Sequence, residues 1–138
     1  MAIKIKRIEV NIMFKIIATI SFILLSAQFA LSQQWIFGKW QGKGRESSNG
    51  ETWSMRLQAK KGSFKINYPS LKCRGNWKLI NYKGNTARFR ENINVNKKVC
   101  EPMGNVTLKR LDKNRLLFIY KYLGTSKVSS SAILYRIK

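Results

Sequence analysis

The chain has 138 residues, enough for one domain, and 44% of them are hydrophobic, which excludes a disordered polycation. It carries 27 Lys and Arg against 6 Asp and Glu, a formal net charge of +21. Such an excess favours solubility and attraction to anionic partners without specifying a fold. The sequence has no histidine, so the commonest general base of enzymes is absent.

The first 32 residues have the pattern of a secretory signal peptide. Basic residues precede an uncharged apolar run over residues 16–27, and Ala30-Leu31-Ser32 supplies the small residues of a cleavage site. The run is shorter than the roughly 20 residues of a membrane-spanning helix, so an uncleaved anchor is the weaker alternative. We predict an N-terminal signal helix, cleavage after Ser32 and export to a bacterial periplasm or medium, with no integral membrane segment afterwards. Met13 is an alternative translation start.

Residues 33–138 form one predicted domain, which keeps 23 basic and five acidic residues, a net charge of +18. Apolar and polar residues alternate along it between turn sequences such as Lys60-Lys61-Gly62. The alternating segments lie around residues 40–45, 53–59, 64–68, 71–79, 87–95, 106–111, 116–122 and 132–137. About eight short antiparallel strands, each with one apolar face, favour an all-β, lipocalin-like barrel. A two-sheet sandwich is the alternative.

The acidic residues of this domain do not form a catalytic motif or a set with metal-ligand spacing. They are Glu46, Glu51, Glu91, Glu101 and Asp112. Four of them fall at strand ends or turns and are interpreted as solvated. Glu91 differs because it shares a strand face with Phe89 and Ile93, so its carboxylate should point towards the core and need a partner. We expect an arginine or backbone N–H groups, with a ligand at the barrel mouth as the alternative. We predict no enzyme activity, no cofactor and no metal.

Cys73 and Cys100 are the only cysteines. In an oxidising compartment two cysteines of a small domain usually pair, so a structural disulfide is predicted. On the chain-entropy estimate it would stabilise the fold by about 3.5 kcal/mol.

Cations are dense in the middle of the domain, where no acidic residue lies between Glu51 and Glu91. On neighbouring antiparallel strands their outward side chains would form a positive face able to bind a polyanion. The predicted basic face consists of Lys60, Lys61, Lys65, Lys72, Arg74, Lys78, Lys83, Arg88 and Arg90. The alternative is a basic surface that serves solubility alone.

Two motifs resemble known families. Gly38-Lys39-Trp40 together with Arg136 is similar to the Gly-x-Trp and distal arginine of lipocalin/calycin barrels, which implies a stabilising arginine–tryptophan stack between the first and last strands. The run Tyr68-Pro69-Ser70-Leu71-Lys72-Cys73-Arg74-Gly75, followed by Cys100, resembles the Tyr-Pro-Ser-Leu-x-Cys-x-Gly module of small bacterial exported β domains. That resemblance implies a bacterial source, a barrel-like domain and a disulfide between the motif cysteines. It does not imply an activity.

The sequence therefore predicts an exported binding domain that engages an anionic partner: a cell-envelope polymer, lipopolysaccharide or nucleic acid. Two alternatives stay open. One is a periplasmic protein inhibitor similar to the small lysozyme inhibitors, which at this charge would need an acidic target. The other is a lipocalin-like carrier of a small apolar ligand, although aromatic side chains are expected to fill so small a barrel. The oligomeric state is not predicted.

Overall fold

A computed structural model describes residues 13–18, 20 and 34–138; residues 13–18 and 20 are helical. Most of the predicted signal peptide, including its cleavage site, lies outside the described residues. Residues 35–138 form a separate unit that is a closed barrel. Its strands are β1 (Gly38–Glu46), β2 (Thr52–Lys60), β3 (Ser63–Tyr68), β4 (Cys73–Lys83), β5 (Thr86–Val95), β6 (Met103–Arg110), β7 (Arg115–Tyr122) and β8 (Ser130–Ile137).

Each strand pairs antiparallel with the next, and β8 returns to pair with β1, which closes the barrel. The prediction of an all-β barrel is thus confirmed, and the sandwich alternative is wrong because each strand from β1 to β8 pairs with two neighbours. The period-two alternation directs one face of every strand inward. At the centre of the barrel, Trp77 packs against Phe89 and Phe118 at ring-centroid distances of 5.5 and 5.8 Å.

The seam between β1 and β8 is closed by Arg136, whose guanidinium lies 4.1 Å from the centre of the fully buried Trp40 ring. Arg136 Nη1 and Nη2 donate to the carbonyls of Phe37 and Trp35, at 2.7 and 3.1 Å. Its Nε donates to Lys113 O. The expected contact between Trp40 and Arg136 is therefore present, and it joins both ends of the barrel sequence.

The two ends of the barrel differ. At the closed end, the short 3-10 turn Gln34–Ile36 buries Trp35 and Ile36, and Trp40 Nε1 donates to Ile36 O at 2.7 Å. The opposite end carries the longer loops, and here the predicted disulfide between Cys73 and Cys100 is present. It fixes the loop between β5 and β6 to the start of β4.

Two local expectations need correction. Leu71 does not extend the fourth strand, because Pro69–Leu71 forms a 3-10 turn that ends at Lys72 with a left-handed backbone, φ 56°. The last strand begins earlier than the predicted segment 132–137, since Ser130 and Ser131 of β8 already pair with Tyr120 and Ile119 of β7.

Candidate functional site

Cations and amides alternate on the outer surface of β1 to β4. The register places Lys39, Gln58, Lys65 and Asn76 side by side in one row. The next row lies two residues nearer the end with the longer loops, and it contains Gln41, Arg56, Asn67 and Arg74. Like charges directly opposite each other on neighbouring strands are destabilising, and this alternation avoids them. We call the cations Lys39, Arg56, Lys65 and Arg74, with the four amides between them, the basic wall.

The basic wall borders a surface groove of about 790 Å³. All eight of its side chains line the groove, together with Asn94, Val95 and Ile137. None of the described residues that line it is acidic. The groove thus offers positive charge and neutral hydrogen-bonding groups without a carboxylate that would repel an anion.

The structure gathers only part of the predicted basic face into this wall. Lys65 and Arg74 belong to it, and Lys60 lies two residues beyond Gln58 on β2, opposite Ser63. Lys61 lies in the turn after β2 and Lys83 at the end of β4, both at the closed end, whereas Lys72 lies at the opposite end. The sequence prediction missed Lys39 and Arg56 because they precede the cation-rich residues 60–90. They join the basic wall because their strands pair side by side.

A pair of cations lies beside the basic wall. Lys78 of β4 and Arg90 of β5 are direct cross-strand neighbours, and Arg88 faces Asn81. The Nε atom of Arg90 is buried and has no hydrogen-bond acceptor within the described part of the chain. A buried donor without an acceptor is costly, more so beside a like charge, and a bound anion would relieve both costs.

At the end opposite the 3-10 turn Gln34–Ile36, the barrel opens into a cavity of about 340 Å³, which we call the mouth cavity. Its lining contains the rings of Trp53, Tyr68, Phe118, Tyr120 and Tyr122. It also contains four carboxylates, those of Glu46, Glu51, Glu91 and Glu101. These are four of the five acidic residues of the predicted mature domain, and no Lys or Arg is among the described residues that line the cavity.

Glu91 is the deepest of these carboxylates, with 3% of its surface exposed. Its Oε2 atom accepts hydrogen bonds from Tyr68 Oη at 2.5 Å and from Trp77 Nε1 at 2.6 Å. The expectation of an arginine or backbone partner is therefore wrong: both donors are neutral side chains. Burial raises the pKa of Glu91, and the two hydrogen bonds offset part of that rise.

Two glycines make room for the rings of the mouth cavity. A Cβ atom on Gly44 would overlap the indole of Trp53, its cross-strand neighbour, and a Cβ atom on Gly104 would overlap the phenol of Tyr120. Tyr120 in turn meets Tyr122 edge-to-face, with ring centroids 5.6 Å apart. The rings are thus held in place by backbone positions that only glycine can occupy without displacing them.

The carboxylates act on one another and on the phenols. Burial and then the nearby Glu51 raise the pKa of Glu46. Burial chiefly raises the pKa of Tyr120, and the charges of Glu91, Glu101 and Glu46 raise it further. Burial chiefly raises the pKa of Tyr122 as well, and the charges of Glu46 and Glu101 raise it further. The negative charges of these carboxylates therefore act together on the phenol groups that line one cavity.

Sequence reasoning missed this convergence because the four glutamates are scattered between positions 46 and 101. In an up-and-down barrel the ends of alternate strands meet at the same end of the molecule. The end of β1, the loops before β2 and β6, and the inward face of β5 all meet at the mouth cavity. Strand direction, assigned from the predicted turns, could have revealed this grouping.

Within residues 13–18, 20 and 34–138, no three His, Cys, Asp or Glu residues are grouped so that they could hold a metal ion. Over the same residues, no helix is both long and apolar enough to cross a membrane.

Comparison with known proteins gives a likeness of fold alone. No protein-family model matches the sequence, and no curated protein matches it. Among solved structures, the chain is similar to a redesigned beta barrel with a TM-score of 0.55 and 12% sequence identity. The match covers 78% of this chain and 96% of the redesigned one.

Proposed function

We propose that the mature domain is a non-catalytic module that works outside the cytoplasm and binds an anionic polymer through the basic wall. The alternation of four cations with four amides across β1 to β4 is the observation that carries the proposal. Carboxylates at the amide positions would separate the like charges equally well, but all four positions hold neutral amides, which leaves the wall uniformly positive. Amides beside each cation favour a ligand with both anionic groups and hydroxyl or ester oxygens, such as an acidic glycan or a sugar–phosphate backbone.

The spacing of the wall suits a polymer. Neighbouring strands lie about 4.8 Å apart, so cations of one row, separated by an amide, are about 10 Å apart. Lys78 and Arg90 extend the positive surface beyond the groove. A chain laid across the strands would meet successive cations, whereas a single small anion would contact one or two of them.

The carrier alternative gains no support, because packed aromatic rings fill the barrel centre and four carboxylates line the mouth cavity, which disfavours an apolar ligand.

The test measures binding of heparin, DNA and lipopolysaccharide at about 50 and 200 mM salt. Polyanion binding through this wall should weaken log-linearly with salt. The variant Arg56→Gln/Lys65→Gln/Arg74→Gln should lose most affinity at low salt, and its salt dependence should decrease by about three counterions.

The matched control removes the same charge from β6, the following turn and β7, as Lys109→Gln/Lys113→Gln/Lys121→Gln. It should bind nearly as well as the wild type if location matters and much more weakly if only net charge matters. Failure of all three polymers to bind at low salt would refute the proposal and make the inhibitor of an acidic target the leading hypothesis.

Export is tested separately by the intact mass of the native protein. We expect a mature chain that begins near Gln33, as the residues around Ser32 indicate. A full-length species in the cytoplasm would contradict this part of the proposal without affecting the binding test.

A further inference from the structure

The acidic residues of this domain are grouped around one cavity, which points to a second ligand that carries positive charge. Residues 33–138 contain 23 basic residues and only five acidic ones. Four of these five nevertheless line one cavity, and no basic residue is among its described lining. Salt bridges do not explain the grouping, since the only ion pair within the described residues joins Asp112 to Arg115, elsewhere in the barrel.

Glu91 provides an independent sign that the cavity is built for a ligand. Its side chain is almost wholly buried, yet both of its hydrogen bonds end on Oε2. The side chain of Glu91 also lines the cavity. Both of its donors are neutral, so the charge of this buried carboxylate has no cationic partner among the described residues. A cationic group in the cavity would supply one.

The aromatic lining narrows the class of cation. Trp53, Tyr120 and Tyr122 present indole and phenol rings beside the carboxylates, and the faces of such rings attract ammonium groups, most strongly when the groups are desolvated. A volume of about 340 Å³ is at the small end of ligand pockets. Gly44 and Gly104 hold open the space into which Trp53 and Tyr120 project.

We propose that the mouth cavity binds a small organic cation, a quaternary or primary alkylammonium group, with its charge between Glu91 and the outer carboxylates and its alkyl groups against the rings. This site is separate from the basic wall and does not depend on the function proposed above. A free small molecule and the side chain of a lysine-containing peptide share this chemistry, and we assign the site to the small molecule because of the cavity's size.

The test is calorimetric and NMR titration of the oxidised mature protein with choline, with the neutral isostere 3,3-dimethylbutan-1-ol, and with Nα-acetyl-lysine methylamide. Choline should saturate the protein below about 10 mM and shift resonances of Trp53, Tyr120 and Tyr122. The neutral isostere should bind at least about tenfold more weakly, because it lacks the charge. Equal binding of both would overturn the proposal in favour of an apolar pocket.

The variants Glu46→Gln and Glu101→Gln, which alter carboxylates nearer solvent than Glu91, should each weaken choline binding by about threefold or more. The matched control Asp112→Asn removes the same charge outside the cavity and should leave binding unchanged. Gly104→Ala, which displaces the Tyr120 ring, should also weaken it.

Three further results would each overturn the proposal. One is the absence of choline binding, and another is equal weakening by Asp112→Asn. The third is a lysine derivative that binds at least about tenfold more tightly than choline, which would assign the cavity to a peptide partner.

Discussion

Glu91 shows how one buried carboxylate links the core of the barrel to its mouth. Burial raises its pKa above the ordinary value of 4.5, so the folded state holds the proton more tightly than the unfolded state does. The stability that this provides is fully present below pH 4.5 and is lost as pH rises through the folded pKa. Glu91→Gln should keep the acceptor oxygen for Tyr68 and Trp77 and abolish this part of the pH dependence.

The measurement is urea unfolding of wild type and Glu91→Gln at a series of pH values from about 4 to 8. Tyr68→Phe serves as a second variant, because it removes a hydrogen bond that lowers the pKa of Glu91. It should move the loss of stability to higher pH. An unchanged pH profile in Glu91→Gln would show that Glu91 does not control the dependence.

Trp40 and Arg136 govern the closing seam. Trp40 is fully buried, so Trp40→Ala should lower the free energy of unfolding by about 3–5 kcal/mol. Arg136→Lys keeps the charge but cannot reproduce three directed hydrogen bonds to carbonyls of distant segments, and should cost about 1–3 kcal/mol. Denaturant unfolding measures both, and a loss below about 0.5 kcal/mol for either variant would contradict the role of the seam.

At the level of elements, the disulfide connects the start of β4 to the loop between β5 and β6, which carries Val99, Cys100 and Glu101 into the mouth cavity. Cys73→Ser/Cys100→Ser should lower the free energy of unfolding by about 2–5 kcal/mol. Because the loop is one side of the cavity, the variant should also bind choline more weakly while heparin binding persists. Two free thiols in the unreduced, denatured wild-type protein would exclude the bond itself.

The strands could be predicted from sequence because each has one inward face, and period-two alternation records that face residue by residue. The seam was also predictable, since Gly38-Lys39-Trp40 and Arg136 form a recognisable pair. The basic wall was only half predictable: Lys65 and Arg74 were identified, but Lys39 and Arg56 join them through cross-strand register, which composition does not reveal.

The mouth cavity was the least predictable feature. Each of its outer glutamates resembles an ordinary solvated residue at a strand end, and only closure of the barrel brings them around one space. The exception was Glu91, because it shares a strand face with Phe89 and Ile93 and this parity alone predicts a carboxylate on the core side. Both of its neutral partners lie on other strands. The register sets Trp77 directly opposite Glu91, whereas Tyr68 lies on β3, which is not adjacent to β5, and reaches Glu91 with its hydroxyl group.

For the whole molecule, the separation of charge leads to a prediction about both ligands. The basic wall lies on the outer surface of β1 to β4, whereas the mouth cavity opens at one end of the barrel. None of the described residues lines both the groove and the cavity. Heparin and choline should therefore bind at the same time. Heparin neutralises part of the positive field that repels a cation from this domain, so its presence should leave choline affinity unchanged or modestly raise it.

The experiment titrates choline into the mature protein with and without saturating heparin, at about 50 and 200 mM salt. Raising salt should release heparin, because polyanion binding depends on counterion release. It should change choline affinity far less, because the proposed choline site includes the buried carboxylate of Glu91, which salt screens little. The variant Arg56→Gln/Lys65→Gln/Arg74→Gln should abolish the effect of heparin on choline affinity without weakening choline binding. Glu46→Gln should weaken choline binding and leave heparin binding intact. Mutual exclusion of the two ligands would contradict the assignment of heparin to the groove and of choline to the cavity.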